Sequence, residues 1–393
     1  MPTLSRPAQG KRPANRRALI IEAATELFAD RGYENVMMSH IAEAVAVGPS
    51  ALYRHFPGKI ELLAAAIADV AADLVPLAES ADSVESALRD LARYAVEHRL
   101  AGVLWQRESR QLPAQVRAPL RGHLRALRDH LAAAVIRERP GLTLDLARVL
   151  SVAALGALFS PSFHHCSMER PAFEERLADL AGRVLAVEVP VAPPRPTPQT
   201  GLTPASRREE VLAVAMRLFA ERTYASVGVE EIAGAADMAT SSVYHHFVGK
   251  AEILWTALQR GTGYLQLTLN QVLATARDEP AALAEIVGIY AEFAVRHPEL
   301  VDALITEVRS LRPDVTAVIT TAQREYVAEW VHLYRHVHPE DGLASATVTV
   351  QAALMVINDL ARTPPVRSRP DAANVAATLA RAVLRLPRPD ASH

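Results

Sequence analysis

The chain has 393 residues, half of them apolar, with 42 Lys and Arg against 44 Asp and Glu and a formal net charge of −2. That length allows two or three domains with buried cores, and the near-neutral balance excludes a protein that coats nucleic acid indiscriminately through many phosphate-neutralising cations. A single cysteine, Cys166, excludes an intramolecular disulfide and a multi-cysteine zinc site within one chain, and it reads as a small buried hydrophobe.

In chain order, the first 21 residues hold Arg6, Lys11, Arg12, Arg16 and Arg17 and no acid. This basic, Pro-rich start contains no apolar signal segment, and no run of about 18 uncharged apolar residues follows it. Neither export nor membrane spanning is expected, and the cytoplasm is the default location. Residues 1–14 are expected to form a disordered arm, either a solubilising tail or an extension that tracks phosphates or enters a minor groove.

The stretch 17–63 reappears without a gap at 208–254, with about nineteen identical positions; chance at typical residue frequencies gives roughly three. Ile20, Ala23, Ala24, Leu27 and Phe28 fall on one face of a helix, as do Val214, Leu218 and Phe219 in the second copy. The spacing then predicts a supporting helix over 41–46, a turn over 47–49 and a second short helix over 49–55, with Pro49 suited to the first helical position. The second copy repeats this as 232–237, 238–240 and 240–246. This is a helix-turn-helix, whose second helix is short enough to enter a major groove and present side chains to base edges.

After each copy come Ala- and Leu-rich helical segments such as 62–75, 84–98 and 116–137, which read as a bundle of antiparallel helices. Residues 144–159 and 343–357 are apolar on nearly all faces, so each must be covered on both sides. Each is followed by an amphipathic helix, 173–187 and 372–386. Between the halves, Pro190, Pro193, Pro194, Pro196, Pro198 and Pro204 make 188–206 a semi-rigid linker; polyproline geometry at about 3.1 Å per residue gives it a reach of roughly 55 Å. The second copy opens with Ser206 and Glu209 in capping-box spacing. No alternating strand pattern occurs, and the expected fold class is all-α.

The motif Tyr53-x-His55-Phe56-x-Gly58-Lys59, repeated as Tyr244-x-His246-Phe247-x-Gly249-Lys250, resembles that of the TetR family of transcriptional regulators. So do the preceding pairs Leu27-Phe28, Gly32-Tyr33 and Ile41-Ala42, with Leu218-Phe219, Tyr224 and Ile232-Ala233 in the second copy. The resemblance implies a double-stranded DNA operator as partner. It places phosphate contacts at Tyr53, His55 and Lys59 and at Tyr244, His246 and Lys250. Base-reading positions fall on Pro49, Ser50, Ala51 and Arg54 and on Thr240, Ser241, Ser242 and His245, and Ser39 joins the DNA-contacting set. Two departures stand out. The family's capping serine is replaced by Gly48, a tolerable cap, and by Ala239, a loss of about 1 kcal/mol unless Thr240 takes over. Thr223 stands where Gly32 does, which implies a looser turn.

Family members act as homodimers over palindromes, with their readers in successive major grooves roughly 34–36 Å apart. This chain carries both readers, so an intramolecular pseudo-dimer is expected, pairing 144–187 with 343–386, with room for more than one chain per operator. The readers differ, so the operator is expected to be non-palindromic; Arg54 is suited to a bidentate guanine contact that His245 lacks. Fused double-TetR proteins of actinobacteria, associated with repression of lipid, steroid or fatty-acid genes, are similar in layout. The expected domains are the arm 1–14, a reader 15–62, a ligand-binding bundle 63–187, the linker 188–206, a second reader 207–253, a second bundle 254–387 and a tail 388–393.

By the same resemblance each bundle holds a small-molecule effector, apolar and lipid-like or acyl-CoA-like, which relieves repression. Candidate pocket residues are Tyr94, His98, Trp105 and Phe159, and Tyr264, Phe293, Trp330 and Tyr334; plain core packing is the competing reading of each. His332 and His336 have a metal-capable spacing and His164-His165-Cys166 is a dense cluster, but neither recurs in the other half, and no metal or cofactor is expected. No serine elbow, phosphate loop or supported carboxylate pair points to an enzyme. The alternative function is a ligand-binding or protein-interaction module that has lost DNA binding in one or both halves.

Overall fold

The computed structural model describes residues 16–166, 168–189 and 204–387. The expected arm and tail, and most of the expected linker, lie outside the described residues. Among the described residues every regular element is helical. In the first half run α1 (Arg16–Arg31), α2 (Met38–Ala44), α3 (Pro49–His55), α4 (Lys59–Glu79), α5 (Val84–Glu97), α6 (Ala101–Gln106), α7 (Ala114–Glu138), α8 (Leu144–Phe159) and α9 (Arg170–Ala186). The second half contributes α10 (Arg207–Glu221), α11 (Val229–Ala235), α12 (Thr240–His246), α13 (Lys250–Thr275), α14 (Glu279–Arg296), α15 (Pro298–Thr306), α16 (Pro313–Val337), α17 (Leu343–Arg362), α18 (Pro364–Arg367) and α19 (Ala372–Val383).

Contacts divide the chain into two compact units, Met1–Leu131 and Ala132–His393. In the first, α1, α2 and α3 close over the start of α4 around Ile20, Phe28, Ile41, Leu52, Phe56 and Leu62, with Leu104 and Leu112 beneath them. The helix-turn-helix is therefore rooted in the same core as the segment after α6. In the second unit, Phe219, Ile232, Val243, Phe247 and Ile253 make the same kind of core, continued by Val308 and Leu311.

The second unit also contains α8 and α9. These pack with α17 and α19 into a four-helix arrangement, α8 against α17, α9 against α19, and each helix against its own neighbour. Both α8, extended to Phe163, and α17 are long and apolar enough to cross a membrane, yet most of each lies buried. Their all-round apolarity is explained by helix neighbours on both sides, as their sequence required.

Helix ends are fixed locally. Ser83 accepts from the Ser86 N–H at 3.1 Å at the start of α5, and Asp278 accepts from the Ala281 N–H at 2.8 Å at the start of α14. Each such cap contributes about 1 kcal/mol. The expected capping box at Ser206 does not form. Ser206 is the N-cap but its side chain makes no capping bond, because Glu209 instead takes a two-pronged ion pair with Arg260 of α13 at 2.5 and 2.9 Å.

Candidate nucleic-acid interface

The two second helices, α3 and α12, begin and end where the sequence placed them. The supporting helices α2 and α11 start and stop earlier than expected, because the residue that closes each turn has left the helix. Ala46 and Asp237 adopt left-handed backbone conformations, with φ of 52° and 50°. The following N–H then reaches back to the helix, Val47 to Ala42 and Met238 to Ala233, both at 2.9 Å. Such a reversal satisfies carbonyls that the helix end would otherwise leave open. As the substitutions foretold, neither Gly48 nor Ala239 provides a side-chain cap.

Side chains divide cleanly around these helices. Leu52 and Val243 point into the core at 0% exposure, while Tyr53 and Tyr244 are each 51% exposed. An aromatic ring left half in water at the same place in both copies has no packing explanation. Ser50, Arg54 and His55 are also exposed, as are Ser241 and His245; Ala51, Thr240, Ser242 and His246 are partly so. Ser39 is exposed on α2. Phe56 and Phe247 end the helices facing inward, covered by Arg17 and Arg208 at 5.2 and 4.4 Å from the ring centres, a cation–π contact.

Lys59 and Lys250 are placed differently from the other candidates. Lys59 Nζ donates to the Tyr33 carbonyl at 2.8 Å and lies 4.0 Å from the Tyr33 ring centre. Lys250 Nζ donates to Tyr224, Ala225 and Val227 carbonyls at 2.7, 3.3 and 3.0 Å. Burial holds both ammonium groups below their ordinary value, opposed by Glu34 at Lys59 and by Glu307 and Glu231 at Lys250. Each lysine thus ties the helix after the reader to the turn before it.

The first copy's turn is built on Gly32, whose φ is +80°. In the second copy Thr223 and Ser226 do this work by exchange: the Ser226 N–H donates to the Thr223 hydroxyl at 3.3 Å, and the Ser226 hydroxyl donates to the Thr223 carbonyl at 3.1 Å. The expected loosening is met by a side-chain-locked turn.

Sequence reasoning missed a second layer. Glu108, 2% exposed, accepts the Tyr33 N–H at 2.9 Å and pairs with Arg107 at 2.5 Å, while Arg107 donates to the Ala29 carbonyl at 2.7 Å. Glu307 stands as far before α17 as Glu108 stands before α8, is 4% exposed, and its charge helps raise the Tyr224 phenol after burial has done so. That shared register was the available signal. Also missed were Glu230 and Glu231 at the start of α11, where α2 carries Ser39 and His40. Glu231 accepts the Gly228 N–H at 3.0 Å, which with Arg222 keeps its carboxyl below the ordinary range.

Of the bundle candidates, Tyr264, Phe293 and Trp330 are joined through Tyr290 and Tyr326 into one aromatic cluster. Tyr264 stacks on Phe293 with centres 5.7 Å apart, and Tyr290 meets Trp330 edge-on at 5.8 Å. Tyr290 donates to Asn358 Oδ1 at 2.9 Å, and burial pushes its phenol up to about 12. Tyr334 lies outside this cluster; its hydroxyl donates to Asp341 at 2.6 Å. In the first half Tyr94 packs on the exposed His98 at 4.3 Å and reaches Asp73 at 3.5 Å. Trp105 is partly buried, and Phe159 is buried in the other compact unit. His332 and His336 meet edge-on with ring centres 4.3 Å apart, and among the described residues no three His, Cys, Asp or Glu side chains converge as metal ligands do.

The sequence model described as "Bacterial regulatory proteins, tetR family" matches residues 20–66 and again 211–255. The chain is 33% identical over 93 residues to the transcriptional repressor KstR2 of Mycolicibacterium smegmatis, covering 24% of this chain and 44% of the repressor. It is 34% identical over 100 residues to the transcriptional activator FasR of the same organism, covering 24% of this chain and 41% of the activator. The chain thus spans less than half the length of either. The solved structure of the ketosteroid regulator KstR2 of Mycobacterium tuberculosis is similar at 22% identity, over 47% of this chain and 95% of that one, with a TM-score of 0.40. The helix-turn-helix domain of the tetR family is thus present in this chain in two matched copies, a tandem arrangement.

Proposed function

We propose that the protein is a sequence-specific DNA-binding regulator of transcription, acting as a repressor with both readers in one polypeptide. The observation that carries this reading is the pair Tyr53 and Tyr244, each 51% exposed on the equivalent face of α3 and α12. A phenol so placed can donate to a phosphate while its exposed neighbours address base edges. Ser39, Pro49, Ser50, Ala51, Arg54 and His55 form the first reading set, and Thr240, Ser241, Ser242, His245 and His246 the second. Lys59 and Lys250 support them by fixing the turns from which each helix springs.

In this reading α8, α9, α17 and α19 take the place of the interface that joins two chains in a homodimer, and the domain boundaries follow those expected from sequence. The operator is asymmetric, since Arg54 and His245 occupy equivalent positions. An apolar effector acts from the bundles, with the aromatic cluster around Tyr290 and Trp330 as its site in the second half. It shifts the protein only to the extent that it binds the DNA-free state more tightly. The protein works in the cytoplasm and has no enzymatic role.

A second reading, in which only the first half reads DNA, is favoured by Glu230 and Glu231 at the start of α11, since carboxylates there oppose a phosphate backbone. Footprinting of the full chain on DNA flanking its own gene separates the two. Protection of two adjoining, unlike half-sites supports the two-reader protein, and protection of one half-site supports the second reading. Absence of salt-sensitive, sequence-specific protection overturns both.

A further inference from the structure

The helices that join the two halves are not equivalent where they meet, and the inequality is complementary. Arg176 of α9 donates to Asp341, just before α17, at 2.7 Å. Asp341 is 7% exposed and also accepts from Tyr334, Arg385 and Ser345 at 2.6, 2.8 and 3.1 Å. Aligning α8 on α17 from their first leucines, Leu144 and Leu343, places Val375 at the position of Arg176 and Leu142 at that of Asp341. An exact two-fold dimer would make this contact twice; here the ionic pair occurs once, and the two counterpart positions carry apolar residues. Arg183 repeats the pattern, donating to the Val383 carbonyl at 3.3 Å while its counterpart is Ala382.

Shape follows charge. Gly156 of α8 approaches α17 so closely that a Cβ there would lie 3.3 Å from the Met355 carbonyl and 3.0 Å from Asp359. In the same alignment the counterpart of Gly156 is Met355 itself. Second half on second half would set methionine where a Cβ is already crowded. First half on first half would set glycine against glycine, leaving a void, and would set Arg176 against Leu142, a guanidinium without its carboxylate.

We propose that the inner faces of the halves form a heterotypic pairing surface: the first half accepts a second half and rejects a copy of itself. This rests on the pseudo-dimer reading and adds a rule to it, since even exchange of halves between chains must join a first half to a second. Any assembly of several chains on one operator then uses other surfaces.

The test uses the full chain and its single cysteine. Cys166 Sγ lies 3.4 Å from the Ala344 carbonyl of α17, so Ala344→Cys adds a thiol across the heterotypic contact. Asp145 is the first-half counterpart of Ala344 and sits at the far end of α8, roughly 24 Å of helix away from Cys166. Asp145→Cys therefore reports pairing of first halves from two chains. With a short bis-maleimide, Ala344→Cys is expected to give a cross-linked single chain in high yield, and Asp145→Cys no two-chain product above the unsubstituted protein. A two-chain product from Asp145→Cys, or no cross-link from Ala344→Cys, overturns the proposal. A two-chain product from Ala344→Cys upholds heterotypic pairing and instead overturns the built-in pseudo-dimer. As an independent readout, Arg176→Val is expected to lower the thermal midpoint by about 5 °C or more; an unchanged midpoint removes the ion pair as a source of discrimination.

Discussion

The carboxylate of Glu108 holds the backbone N–H of Tyr33 across 75 residues of sequence, at 2.9 Å and out of reach of solvent. Through it the segment after α6 grips the turn that orients the first reader. Glu108→Ala leaves that N–H and Arg107 without their buried acceptor. The expected loss is about 1–3 kcal/mol, measured by urea unfolding. Operator affinity should fall as well, although Glu108 is too buried to meet DNA. Glu108→Gln should recover part of the stability, because an amide oxygen still accepts from Tyr33.

Tyr53→Ala and Tyr244→Ala separate folding from reading. An exposed side chain away from the core changes stability by no more than about 0.5 kcal/mol. Loss of a phosphate hydrogen bond should weaken operator binding by about 1.5–3 kcal/mol, or roughly ten- to a hundredfold. Titrations at several salt concentrations check this: each variant should lose affinity on cognate and unrelated DNA alike. Equal loss from both substitutions indicates two working readers, and loss from Tyr53→Ala alone indicates one.

Ala46 and Asp237 hold left-handed conformations that cost a non-glycine residue about 1–2 kcal/mol. Ala46→Gly should therefore stabilise the protein by up to about 1 kcal/mol after the entropy of glycine is subtracted. Asp237→Gly should gain less, because aspartate tolerates this region better. A higher unfolding midpoint for Ala46→Gly than for Asp237→Gly is the expected order.

Asp341 gives an acid limit to the joint between the halves. Burial opposes its ionisation, but the Tyr334 hydroxyl, Arg176 and Ser345 together hold its carboxyl below the ordinary value of 3.8. A depressed carboxyl contributes stability that is fully present above the unfolded value and is lost as pH falls through the folded one. The unsubstituted protein should thus lose stability below about pH 4. Asp341→Asn should be less stable at neutral pH and show a shallower decline in acid, read from unfolding curves at pH 3 to 7.

The duplication made much of this architecture legible. The motif spacing located α3 and α12, because Leu52, Phe56 and their counterparts follow helical periodicity without competing signals. The all-round apolarity of α8 and α17 announced helices covered on both sides. Local patterns failed where a distant side chain intervened. Glu209 has the spacing of a cap, but Arg260 lies 51 residues on and takes its carboxylate. Lys59 and Lys250 carry the motif of a phosphate contact, and the fold adds what no local window shows, the Tyr33 and Tyr224 carbonyls brought to their ammonium groups. Nothing in the sequence around Glu108 or Asp341 signals their burial, since burial of a carboxylate depends on partners that no local window contains.

The packing of α8 and α9 on α17 and α19 joins parts of one polypeptide, so it forms without an encounter between molecules. A regulator assembled from separate subunits disappears from its site with the square of its concentration once dilution favours the lone subunit. For the proposed one-chain pseudo-dimer the corresponding dependence would be of first order. On that proposal a few copies per cell would suffice for graded occupancy, with no threshold set by assembly.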